Sequence, residues 1–231
     1  MGIRPPARTR AHRFEVRGST ATVASLVQEY VLMPSHVRHC YFVAVLRAFM
    51  ASDEKGSCIV FTSTCKSCAE LSLLLRELKI PCAALHSQMS QNDRIESLTR
   101  FKSNYVRVLV ATDVASRGLD IAPVRVVLNF NVPKAVDDYI HRVGRTARAG
   151  RGGRAVTLMS ERDVTLIHAI EAKVGTTLAA YEGLNEDEVL RTLNSVNVAR
   201  RAVNARLIET DFGVRKAKQK LRAASAAAQS S

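Results

Sequence analysis

The chain has 231 residues, enough to bury a core, and its 34 Lys and Arg against 21 Asp and Glu leave a formal charge of +13. That balance favours a polyanionic partner through long-range attraction and counterion release. No apolar run approaches the ~20 residues that span a bilayer, and the amino terminus MGIRPPARTRAHRFEVRG lacks the apolar core of a signal peptide, so a soluble intracellular protein with no membrane partner is expected.

In chain order, residues 1–28 show no element of their own and read as a linker or remnant ahead of the domain. Ser35 is placed to cap a helix from His36 to Met50, with Tyr41, Phe42, Val45, Leu46 and Phe49 at core spacing. Cys58–Phe61 reads as a strand, and Leu71, Leu74, Leu75 and Leu78 mark the helix after it, which Pro81 closes. Cys82–Leu85 is the next strand. Ser90, with Asp93 in the first turn, caps a helix running to about Phe101. Val106–Ala111, Val124–Leu128 and Ala155–Leu158 complete five short strands. Strands of this kind separated by helices specify an α/β domain with a mostly parallel sheet covered on both faces. Beyond it, Leu184–Glu209 has helical periodicity through Leu190, Leu193 and Leu207, and the run VRKAKQKLRAASAAAQSS follows. The division expected is linker 1–28, domain 29–180, and a helical, basic C-terminal extension 181–231, disordered at its end, whose charge is either a solvated face or a loose contact for nucleic acid.

Five cysteines, at 40, 58, 65, 68 and 82, are an odd set and read as reduced thiols. Cys65 and Cys68 form a CxxC, but no second CxxC or HxxxH completes a metal site, so no metal is expected. A redox role needs a depressed thiol pKa, and packing at a helix start is the default reading.

Ligands of parallel α/β sheets gather beyond the carboxyl ends of the strands. Four successive strands deliver polar groups there: Thr62-Ser63-Thr64, His86-Ser87-Gln88, Thr112-Asp113, and Asn129 with Asn131. Next to them, YIHRVGRTARAGRGGR (139–154) repeats arginine every third residue with no acid among them. On a helix, steps of three spread Arg142, Arg145 and Arg148 over roughly 120°, so they can converge on one anion. Arg151 and Arg154 lie beyond the break expected at Gly150, Gly152 and Gly153 and are excluded. Guanidinium suits phosphate because its planar fork matches two oxygens and keeps its proton. Gly150–Ala155 spells GxGxxA, but a helix leads into a strand there, the reverse of a dinucleotide fingerprint.

VATDVASRGLDIA (110–122) and YIHRVGRTARAGR (139–151) resemble motifs V and VI of the DEAD-box RNA helicases, IVFTSTCK (59–66) resembles motif IV, and HSQMSQNDR (86–94) resembles HGxxxQxxR. Order and spacing agree from near Tyr30 to near Leu178. The resemblance implies a RecA-like three-layer domain that acts as the C-terminal lobe of an ATP-dependent RNA helicase. It casts Arg145 and Arg148 as arginine fingers on the γ-phosphate of ATP, and His141, Arg142 and Arg117 as the link between nucleotide state and domain closure. Asp120 would accept from the ribose, and Gly118 would let backbone approach the nucleotide. Thr112, Gln91 and Arg94 would hold RNA phosphates, with Thr62 and Ser63 along the same strand of RNA. Ser87, Ala147 and Lys102-Ser103-Asn104 depart from the usual glycines. FTSTCKSC, DVTLIHAIE (163–171) and VNVARR (196–201) resemble the branch that works in small-subunit ribosome assembly, implying pre-ribosomal RNA and a nuclear, nucleolar location.

The chain contains no GxxxxGK[ST], no DEAD tetrapeptide and no SAT. Alone, it is expected to be catalytically incomplete, with Mg2+ held by an N-terminal RecA-like lobe that it must meet. The alternative is a non-catalytic RNA-binding or ribosome-assembly module.

Overall fold

The structure, a computed structural model, describes residues 26–116, 118–119, 121–147 and 152–209. Seven strands form one sheet: β1 (Leu26–Leu32), β2 (Cys58–Thr62), β3 (Cys82–Leu85), β4 (Val108–Thr112), β5 (Val126–Asn129), β6 (Gly153–Met159) and β7 (Ala179–Ala180). Their order across the sheet is β3-β4-β2-β5-β6-β1-β7, and every pairing is parallel. Parallel neighbours require long crossovers, here supplied by α1 (Arg38–Ser52), α2 (Cys65–Glu77), α3 (Gln91–Lys102), α4 (Asp113–Ser116), α5 (Val136–Val143) and α6 (Val164–Val174), with α7 (Glu186–Glu209) last.

Because strand side chains alternate, each strand feeds two cores. Cys58 and Val60 of β2 join α1, α2 and α7 on one face, while Ile59 and Phe61 join Phe101, Tyr139, Val143, Ile167 and Ile170 on the other. The three-layer arrangement expected from the strand pattern is what the chain adopts.

Four details differ from the expectation. Residues 26–28 belong to β1, which lies inside the sheet between β6 and β7. Its pattern is masked by Gln28 and Glu29, which are polar yet buried: Gln28 Oε1 accepts from the Tyr139 hydroxyl at 2.9 Å, and Glu29 pairs with Arg154 at 3.0 Å. Ser35 does not cap α1. One 3-10 turn (Ser35–Val37) intervenes, and the helix start is fixed by Arg38, which donates to the Phe130 carbonyl at 2.9 Å and to Asp163 at 3.0 Å. α6 was not anticipated. Finally, the helix expected after the domain is α7, and it is packed onto the core, since Val189, Val196, Ala199, Val203 and Leu207 lie in the same cluster as α1 and α2. Leu190, by contrast, is exposed. Residues 1–25 and the basic run 210–231 lie outside the described residues.

Candidate functional site: the carboxyl rim and the arginine turn

Register places the expected polar groups on one edge. Thr62 pairs with Thr112, Phe61 with Asn129, and Leu85 with Ala111, so Thr62, His86, Thr112 and Asn129 stand side by side at the carboxyl end of the sheet. The helices that follow begin here, with their N–H ends at the rim. Thr64 caps α2 by accepting from Ser67 N at 3.0 Å, and Ser90 caps α3 by accepting from Asp93 N at 3.2 Å. Several helix amino ends on one rim favour negative charge.

Arg142 is the hub of the rim. It is 1% exposed, and its guanidinium grips Asp113 with both prongs, Nε to Oδ1 at 2.6 Å and Nη2 to Oδ2 at 2.7 Å. Nη1 donates to Asn129 Oδ1 at 3.2 Å and to the Asn131 carbonyl at 2.8 Å, and the group lies over the Phe61 ring. One side chain thus ties the ends of β4 and β5 to α5. The expectation that Arg142 shares an outside anion with Arg145 and Arg148 is corrected: its counter-charge is internal and comes from a strand end 29 residues upstream. The absence of acids within 139–154 says nothing about an acid delivered by the fold.

Arg145 does not sit on the helix. α5 ends at Val143, with Gly144 as C-cap, and a tight turn follows in which Arg145 N donates to Arg142 O and Thr146 N to Val143 O, both at 3.0 Å. The turn is stitched to the start of β5, since Val124 N donates to Arg145 O at 3.0 Å and the Thr146 hydroxyl donates to Val124 O at 2.6 Å. From there the Arg145 side chain reaches the segment after β4, donating to the carbonyls of Ser116 and Leu119 at 3.0 Å each. These two carbonyls fix the direction of the guanidinium. Arg142 and Arg145 therefore do converge, but on Asp113, Ser116 and Leu119 of the protein itself.

Two positions around this turn depend on backbone freedom. Gly118 has φ +71°, the left-handed region, and a Cβ there would meet nothing, so open space lies beside it. A Cβ at Gly153 would run into the Thr146 side chain and the Ala147 backbone. Ala147, where the related motif carries glycine, adopts φ +52°, at a cost of about 1 kcal/mol.

The remaining candidates divide by exposure. His141, Ser63 and Gln91 are exposed, and Arg94 is half-buried. Thr62 is fully buried and its hydroxyl donates to the Thr64 carbonyl at 3.3 Å, so it shapes the rim from within. Ser63 N donates to Asn131 Oδ1 at 3.2 Å. The Thr112 hydroxyl and the Arg94 Nε are buried and have no hydrogen-bond partner among the described residues, and such groups are costly to leave unsatisfied. Arg117, Asp120 and Arg148 lie outside the described residues. In the sequence, Asp113, Asn129 and Asn131 stand out only as polar strand ends. An acid directly after a strand, opposite a run of bases, was the available signal for the Asp113–Arg142 pair.

The CxxC begins α2. Cys68 is buried, its Sγ 3.2 Å from the Val110 carbonyl, and burial pushes its thiol up to about 12. Cys65, half-buried, touches Ser87 Oγ at 3.3 Å.

A parallel sheet layered by helices on both faces, with a basic turn clasping the segment beyond a central strand, defines a RecA-like lobe. Residues 41–150 match the family described as "Helicase conserved C-terminal domain". The chain is 34% identical to Escherichia coli DEAD-box protein SrmB, in its structure bound to regulator of ribonuclease activity A, with a TM-score of 0.62 over 71% of this chain and 93% of that one. It therefore belongs to the DEAD-box RNA helicase family, as a helicase C-terminal domain. Over 203 residues it is 45% identical to the human "Probable ATP-dependent RNA helicase DDX49", covering 88% of this chain and 42% of that protein. Mss116p DEAD-box helicase domain 2, solved bound to an RNA duplex, is 25% identical with a TM-score of 0.64, covering 80% of this chain and 78% of that one. The chain thus spans less than half the length of its human relative.

Proposed function

We propose that this chain is the second RecA-like lobe of an ATP-dependent RNA helicase, completing a nucleotide pocket held mostly by a first lobe and gripping RNA along its carboxyl rim. The observation that carries the reading is the course of the 112–119 segment. It starts at Thr112 on the rim and runs to the residues clasped by Arg145, with Arg142 holding its upper end through Asp113. RNA contacts and nucleotide contacts then sit at two ends of one braced strip, so a displacement at either end is felt at the other.

On the RNA side, Gln91, Arg94, Ser63 and Thr112 hold phosphates, and Thr62 supports them from inside. Contacts of this kind read the backbone and carry little sequence preference. The Thr112 hydroxyl and the Arg94 Nε, each without a hydrogen-bond partner among the described residues, are donors that suit RNA phosphates. On the nucleotide side, the donor set suits ATP. Arg145 brings a guanidinium whose direction two carbonyls fix, Arg148 adds a second guanidinium, Asp120 accepts from the ribose, and the open space at Gly118 admits the sugar's approach. When bound, ATP supplies a phosphoanhydride whose cleavage drives the cycle, and Mg2+ belongs to the first lobe. This chain's contribution is to place positive charge where negative charge grows on the transferring phosphoryl group. Arg117, His141 and Arg142 position that turn against the first lobe. The similarity to DDX49 and the segment FTSTCKSC favour pre-ribosomal RNA as the substrate and the nucleolus as the location.

With neither P-loop nor DEAD tetrapeptide in its sequence, the chain alone turns over ATP negligibly, and adding a first lobe from a relative restores RNA-stimulated phosphate release. Brisk RNA-stimulated turnover by the isolated chain, or none when the first lobe is supplied fused ahead of it, refutes the reading.

A further inference from the structure

We propose that Cys65 and Cys68 form a peroxide-sensitive dithiol on the rim, oxidised reversibly to an intrahelical disulfide. Both are free thiols in the first turn of α2, one helical turn apart, and they differ in the way such a pair requires. The outer sulfur is reachable from solvent and makes only a weak contact to Ser87 Oγ at 3.3 Å. The inner one, Cys68, is fully buried. Side chains one turn apart on a helix have Cβ atoms about 5–6 Å apart, within about 2 Å of disulfide geometry, and the first turn of a helix yields more readily than its middle. Burial pushes the Cys68 thiol up to about 12, so the attacking sulfur is the accessible Cys65 and Cys68 can only resolve. The other three cysteines, at 40, 58 and 82, are buried on other elements.

The step balances with a hydroperoxide as oxidant. The Cys65 thiolate attacks the peroxide O–O bond, which breaks to give sulfenic acid on Cys65 and, for hydrogen peroxide, hydroxide that takes a proton to become water. The Cys68 sulfur then forms the S–S bond, and the sulfenic oxygen leaves as a second water with the Cys68 proton. Two thiols and one peroxide thus give one disulfide and two waters. A thiol reductant reverses the change.

The location makes the change consequential, a point that rests on the RNA reading above. Cys68 Sγ touches the carbonyl of Val110 in β4 and lies 3.9 Å from that of Leu85 in β3, while Cys65 touches the 86–88 segment. Drawing the two sulfurs together releases these contacts and shifts Thr64 and Ser63, which precede them. Oxidation is therefore expected to weaken RNA binding about tenfold, equal to about 1.4 kcal/mol.

The test treats the chain with hydrogen peroxide, quenches with catalase, and reads intact mass and peptide maps. The wild type should lose two hydrogens, mapped to a Cys65–Cys68 link, and regain them with dithiothreitol. Cys68→Ser should instead hold one added oxygen on Cys65, trapped by dimedone, and Cys65→Ser should show neither product. Failure of the linked peptide to form, or equal oxidation of Cys40, Cys58 and Cys82, overturns the proposal. RNA affinity is measured in parallel on reduced chain, oxidised chain and Cys65→Ser. If the reduced chain binds no RNA, the rim reading fails while the mass result still decides the dithiol. If it binds RNA and a confirmed disulfide leaves affinity unchanged, the regulatory part of the proposal is overturned.

Discussion

Replacing Asp113 by Asn probes the hub of the site. The Arg142 side chain is 2% exposed and its partner carboxylate 21%, so the guanidinium loses its carboxylate partner among the described residues while it stays in the interior. Removing one member of a buried ion pair costs about 3–5 kcal/mol. Asp113 lies at the edge of the burial, where water can follow, which favours the lower end, about 3 kcal/mol. For a domain of this size each kcal/mol lowers Tm by about 2–4 °C, so a fall of roughly 6–12 °C is expected by differential scanning calorimetry. Urea unfolding should show a lower midpoint with an unchanged slope. Adding Arg142→Met removes the stranded charge, so the double variant should recover at least about 1 kcal/mol relative to the sum of the single effects. A melting point for Asp113→Asn within about 2 °C of the wild type would refute the claim that this pair braces the rim.

Three further outcomes are expected. Arg94→Ala should weaken single-stranded RNA binding by a similar factor across unrelated sequences and reduce the salt dependence by about one phosphate contact; fluorescence anisotropy in a salt series that shows no change places RNA elsewhere. Burial alone would raise the Asp163 carboxyl, but hydrogen bonds from Ser160 and the Arg38 guanidinium outweigh it and hold it below the ordinary range. A lowered folded pKa means that the unfolded chain binds the proton more tightly, so this stabilisation is complete above the unfolded value of about 4 and disappears as pH falls through the folded value. Asp163→Asn should therefore flatten that acid limb in pH-dependent unfolding, and an unchanged limb would rule the bridge out as its source. Arg145→Lys, which keeps charge but loses the fork that spans Ser116 and Leu119, should lower the ATP turnover of a two-lobe protein by at least about tenfold, and full activity would show that the fork is dispensable.

What could be read from the sequence was local chemistry. β3 has the bounds that Pro81 and the apolar run CAAL imply, and Ser90 caps α3 as its side chain suggests. The parallel sheet followed from the strand and helix alternation, and with it the polar rim at 62, 86, 112 and 129. What could not be read depended on distant partners. β1 hid because the buried Gln28 accepts from Tyr139 and the buried Glu29 carboxylate lies 3.0 Å from the Arg154 guanidinium, both more than a hundred residues away in sequence. On α7, Leu207 is buried and Leu193 packs against the core as their spacing suggests, but most of the register against α1 and α2 is set by Val, Thr and Ala, and Leu190 faces solvent. Helical spacing failed for the arginines because pairing of the 144–146 turn with Val124 ends α5 early. Arg142 and Arg145 are aimed by partners that the linear pattern does not disclose.

The most direct measurement is ATP turnover by this chain fused behind the P-loop-bearing first lobe of a relative, with Arg145→Ala and Arg148→Ala made singly. The account predicts RNA-stimulated turnover that falls by at least about a thousandfold in each variant, as for other guanidiniums that reach a transferring phosphoryl group, while RNA affinity stays within about twofold. Turnover within about tenfold of the parent in both variants, with folding intact by calorimetry, would contradict it.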